Sequence, residues 1–167
     1  KYETFADFLS NTIIGKRKHT ISEFFYRTQH IQQLGGYQIY PAGYYADDAS
    51  ILLFCNNNGI ASTEESLIVY RKSENNISSS SCWNVEKSKA ALKYYQWIID
   101  EFPMKQQDEQ IIQQRLDFDL YTYFSAALNI HQSIQILNCI PVNIWNWKKK
   151  LLCLYKFILN SYAKQIK

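Results

Sequence analysis

At 167 residues the chain has room for one large domain or two of roughly 70–90 residues each. Apolar residues make up 47% and aromatics 16%, with 13 Tyr and 9 Phe, so core material is plentiful and wholesale disorder is excluded. No apolar run reaches the ~20 residues needed to span a bilayer, because Lys156 interrupts Leu151 to Leu159. With no signal-peptide pattern after Lys1, the sequence reads as a soluble, intracellular piece of something larger, with no membrane partner expected.

The net charge of +3 is unevenly placed. Residues 1–73 carry seven basic and seven acidic side chains, and residues 74–119 carry five basic and eight acidic. Residues 120–167 hold six lysines and no acid at all. That layout favours phosphate or an acidic protein surface, although six lysines also make an ordinary solvated helix face. Cys55, Cys82, Cys139 and Cys153 are widely spaced and lie far from His19, His30 and His131. Zinc wants closely paired ligands, so no metal and no cofactor are expected, and the thiols read as reduced.

In chain order, Phe5, Leu9 and Ile13 form an i, i+4 line and predict a helix from Tyr2 to Ile14, ended by Gly15 and Lys16-Arg17-Lys18. Thr20 with Glu23 looks like a capping box opening a short helix over Ser22–Arg27. A third helix, Gln29–Leu34, stops at Gly35-Gly36. The period then changes. Tyr37, Ile39 and Tyr40, then Tyr44-Tyr45, Ile51 to Phe54 and Leu67 to Tyr70 read as short extended runs, punctuated by Pro41-Ala42-Gly43 and Asn56 to Gly59. Three helices followed by a small antiparallel sheet is the order of a winged-helix domain. The polar stretch 73–82 predicts a linker or long loop, dividing a domain at 1–72 from a mostly helical one at 83–167.

Past that stretch, Val85–Phe102 follows 3.6 spacing and closes at Pro103, and Gln106–Leu116 continues as a polar helix. Leu116 to Ile140 then has the shape of a helix-turn-helix, with a polar corner at Asn129-Ile130-His131-Gln132-Ser133. After Pro141 a last helix runs from Trp145 to Ile166, with Leu151, Leu154, Tyr155, Ile158, Tyr162 and Ile166 as its apolar stripe. The expected fold class is therefore α+β and helix-rich, a tandem winged-helix whose second half is nearly all α.

Candidate contacts gather in this second half. Asn129, His131 and Gln132 could be recognition-helix tips reaching phosphate or base edges, or plain cap chemistry. Trp145 and Trp147 beside Lys148, Lys149 and Lys150 combine stacking surfaces with cations, as single-stranded nucleic acid would require. The same tryptophans would equally suit a core or a protein interface. Three lysines at a helix N-terminus oppose the macrodipole, so an anion or acidic partner would relieve them.

Tyr45-Ala46-Asp47-Asp48 before Ile51-Leu52-Leu53-Phe54 resembles the metal-binding hairpin of reverse transcriptases, where adjacent carboxylates help hold magnesium. Such a site needs a third carboxylate on a preceding strand. Glu3, Asp7 and Glu23 all fall on predicted helices, so the pair reads as an exposed turn. Without paired acid and base, Gly-rich phosphate loop or nucleophile motif, the chain is not expected to be an enzyme.

The two-helix corners in both halves make the chain similar to the C-terminal, two-winged-helix region of the middle subunit of the telomere-replication CST complex. That resemblance implies a nuclear module of telomere maintenance that binds other protein subunits. A non-catalytic interaction module in a nucleic-acid-processing assembly is the expected function, with a direct DNA- or RNA-binding domain as the alternative.

Overall fold

The computed structural model describes residues 1–17, 21–56, 58–63, 65, 69 and 80–165. Of these, 67% are helical, in seven α-helices beside one two-stranded antiparallel sheet. The α+β, helix-rich class therefore holds, and the second half is entirely α among its described residues.

Strand β1 (Tyr2–Glu3) pairs with β2 (Ile60–Ala61) in the register Tyr2–Ala61 and Glu3–Ile60. Gly59 makes this approach possible: its φ is +66°, and a Cβ there would strike the Glu3 carbonyl and the Tyr2 hydroxyl. Helix α1 (Phe5–Ile13) opens at Thr4, whose hydroxyl accepts the Asp7 N–H at 3.2 Å. It buries Phe8, Leu9 and Ile13 and lays Phe5 against Phe102, ring centroids 5.0 Å apart.

A 3-10 turn at Ile21–Glu23 stands where the short helix over Ser22–Arg27 is predicted. Helix α2 (Thr28–Gln33) ends at Gly35 and Gly36, both at positive φ, as expected.

The largest departure from expectation follows. Residues 37–40 are irregular, Pro41–Gly43 is a 3-10 turn, and Ile51 to Phe54 lie inside helix α3 (Ala46–Cys55) rather than in a wing strand. Asp47 and Asp48 accordingly occupy the first turn of a helix, not the tip of a hairpin. There they complement the helix dipole. The signal was hidden because α3 is buried nearly all round, through Ala49, Ser50, Ile51, Leu52, Phe54 and Cys55, so no polar face marks its period. Buried Ser50 stays satisfied by donating to the Ala46 carbonyl and accepting the Gln38 N–H at 2.9 Å. The extended run predicted at Leu67 to Tyr70 lies, apart from Val69, outside the described residues.

The other elements are α4 (Asn84–Glu101), α5 (Gln106–Ser125), α6 (Ile130–Cys139) and α7 (Trp147–Gln165). α5 is one continuous helix across what periodicity divides at Leu116. α4 is the hub, packing on α5 and α6, with Ala90 and Ala91 fully buried where the neighbours come close. Its Asn84 side chain donates to the Tyr123 and Ala126 carbonyls at 3.0 and 3.1 Å, capping the end of α5.

The predicted boundary at 73–82 falls largely outside the described residues, and residues on both sides of it share one core. A tyrosine cluster joins the sides. The Tyr45 and Tyr95 hydroxyls donate to one Asp119 oxygen at 2.9 and 2.6 Å, and Tyr45 lies 3.0 Å from the Tyr123 hydroxyl. Arg115 faces the other carboxylate oxygen at 3.6 Å. Tyr45 adopts φ +65°, a left-handed conformation costing about 1–2 kcal/mol in a non-glycine residue. Its stack on Tyr94, centroids 4.7 Å apart, and its hydroxyl bonds offset that cost.

Candidate interaction surface

The predicted polar corner lies between α5 and α6, and its polar residues point to one another. The Asn129 carboxamide oxygen accepts the Gln132 N–H at 2.9 Å and so caps α6. The Gln132 side chain accepts the Leu128 N–H at 2.7 Å and donates to the Ser81 and Cys82 carbonyls at 2.9 and 3.2 Å. It ties the corner to the entry of α4. Ser133 is buried and donates to the Asn129 carbonyl. Of the corner's candidates, His131 and Asn129 are exposed, but the Asn129 side chain is committed to the cap, and Gln132 is buried.

The Trp/Lys run divides in the same way. Trp145 is fully buried against Phe124, and its indole N–H donates to Asp117 at 2.6 Å. Lys149 pairs with the same carboxylate at 2.5 Å and lies over the Trp145 ring. Lys150 is buried, and its ammonium donates to the Leu137 and Ile140 carbonyls at the end of α6. A cation there satisfies orphan carbonyls and suits the negative end of the helix dipole. Asn146 caps α7 by accepting the Lys149 N–H at 2.9 Å. Two of the three lysines crowding the N-terminus of α7 are thus relieved within the fold. Lys148 and Trp147 remain exposed.

α7 turns a different side inward from the stripe predicted for it. Lys150 and Cys153 are buried, with Leu154 and Phe157 packed against the core. Of the stripe, Leu154 faces in, whereas Leu151 (64% exposed), Tyr155 (60%) and Ile158 (38%) face out. Leu152 and Leu159 are also exposed, and sequence reading had not singled them out. The stripe's spacing was a true signal of an apolar face. It failed to say which face the core takes, because α7 has apolar residues on both sides.

Elsewhere, a cavity of about 960 Å³ opens beside α2. Phe24, Tyr26 and Phe54 line it with charges of both signs, Arg17 and Arg27 against Glu23 and Glu65, which single out no ligand class. The described residues contain no cluster of three or more His, Cys, Asp or Glu side chains fit to hold a metal. No described helix is long and apolar enough to cross a membrane. Comparison of the chain with protein-family models, with curated proteins and with solved structures returned no match.

Proposed function

We propose that the chain is a non-catalytic protein-interaction module, working within a nucleic-acid-processing complex. The observation that carries this reading is the outward face of α7, where Trp147, Leu151, Leu152, Tyr155 and Leu159 lie exposed along three turns of one helix. Apolar residues exposed singly need no explanation, but a contiguous rank of them marks a contact site. The nucleic-acid setting, and with it a nuclear place in telomere maintenance, draws its support from the likeness to the CST middle subunit.

Direct nucleic-acid binding is the second reading, favoured by exposed Trp147 beside exposed Lys148. The internal use of Lys149 and Lys150 weakens it. Fluorescence titration with a single-stranded oligonucleotide over a salt series separates the two. Lys148 and Lys156 engaging one phosphate each give a slope of log K on log salt of about −1.4 at most, with weak binding at physiological salt. A slope of about −3 or steeper with submicromolar affinity would transfer the function to nucleic-acid binding.

A further inference from the structure

We propose that the outward face of α7 receives an amphipathic helix of a partner protein, one with carboxylates beside its apolar ridge. This rests on the interaction-module reading and gives it a place and a partner chemistry. Lys148, Leu151, Leu152, Tyr155 and Leu159 stand at i, i+3, i+4, i+7 and i+11, one side of a helix. That side is opposite buried Lys150 and Cys153. From Trp147 to Leu159 the ridge runs about 18 Å at the helical rise. The steps from Leu151 to Tyr155 to Ile158 are four and three residues, the spacing by which one helix seats another.

Charge decides among occupants. Exposed Lys148 and Lys156 stand beside the ridge, and no Asp or Glu occurs anywhere from Leu120 to Lys167. A second copy paired α7 to α7 would set lysine against lysine with no carboxylate on either helix. An anionic membrane is held electrostatically by clusters of roughly four to eight basic residues, and the described part of this face offers two. A partner helix with an apolar ridge and flanking Asp or Glu satisfies both features at once.

Three synthetic helical peptides test this by fluorescence anisotropy: one with a Leu/Ile ridge and Glu flanks, one with the same ridge and Lys flanks, and one with Glu flanks and the ridge changed to Ser. The Glu-flanked ridge should bind about tenfold or more tightly than the Lys-flanked one, and the Ser ridge should not bind. Combined Lys148→Glu and Lys156→Glu should reverse the charge preference, and Tyr155→Asp should abolish binding with the melting temperature unchanged. If Tyr155→Asp does not fold, the charge-reversal variant, altered only at exposed side chains, decides: an unchanged charge preference overturns the proposal. Equal binding of both flanks, preference for phosphatidylserine–phosphatidylcholine vesicles, or self-association that Tyr155→Asp removes would each overturn it. Native-extract proteins held equally by wild type and Tyr155→Asp would leave the interaction-module reading standing and sink this placement. Retention by neither would sink both.

Discussion

Above about pH 10 the chain should lose its fold in one cooperative step, with tyrosine ionisation and helix loss coinciding. Tyr45, Tyr94, Tyr95 and Tyr123 all lie in or against the cluster on Asp119, and burial pushes each hydroxyl well above its ordinary value. Tyr40, stacked edge-on to Tyr94, is pushed up to about 12 by burial. The sign follows from proton counting. In the unfolded chain these groups ionise near pH 10, whereas in the fold they keep their protons, so the folded state binds more protons and stability falls as pH rises. Below about pH 10 the contribution is fully present. Above that pH each of the four buried hydroxyls withdraws stability as its unfolded counterpart ionises, and the losses act together on one marginally stable core. Tyrosinate absorbance and far-UV circular dichroism recorded through the same alkaline titration measure this. Gradual ionisation of every tyrosine near pH 10 with the helical signal intact would show that the cluster is open to water.

The second large effect separates two tryptophans that stand two residues apart. Trp145→Ala should destabilise the chain by about 4 kcal/mol, the usual cost of emptying a fully buried aromatic site. The change also takes from Asp117 its indole partner, leaving only Lys149 on that carboxylate. Trp147→Ala, at 65% exposure, should stay within about 0.5 kcal/mol of wild type. Urea denaturation of both variants gives the comparison directly. Equal losses would mean that the start of α7 is packed on both sides, and no free face would then exist.

These tryptophans also show how far the sequence could be read. Helices α1, α4, α6 and α7 were legible because each carries a stop, a polar corner or an apolar period: Phe5, Leu9, Ile13 and then Gly15 for α1, Pro103 beyond α4, Asn129 before α6 and the apolar spacing of α7. α3 was not, since burial on nearly every side removes the polar residues that betray a helical period, and the aromatic run before it imitates strands. The pair β1 and β2 escaped notice because two residues per strand are too few to show alternation.

At the candidate surface, residue types did not give the division of labour among neighbouring side chains. Trp145 and Trp147, or Lys148 and Lys150, are indistinguishable in sequence. Only the positions of Asp117 and of the carbonyls ending α6 decide which of them the fold consumes. The joining of both sides of the chain through Tyr45, Tyr95 and Asp119 links residues up to 74 apart in sequence, which no local pattern reports.

The most direct test of the central claim is retention of native-extract proteins on the immobilised chain after nuclease treatment, with wild type and Tyr155→Asp run in parallel. The exposed apolar face of α7 predicts proteins that stay bound to the wild type through about 0.5 M salt, because apolar contact is far less salt-sensitive than phosphate contact, and that are lost from the variant. Proteins released by the nuclease, or none retained, would contradict the interaction-module reading, and equal retention by both chains would contradict its placement on α7.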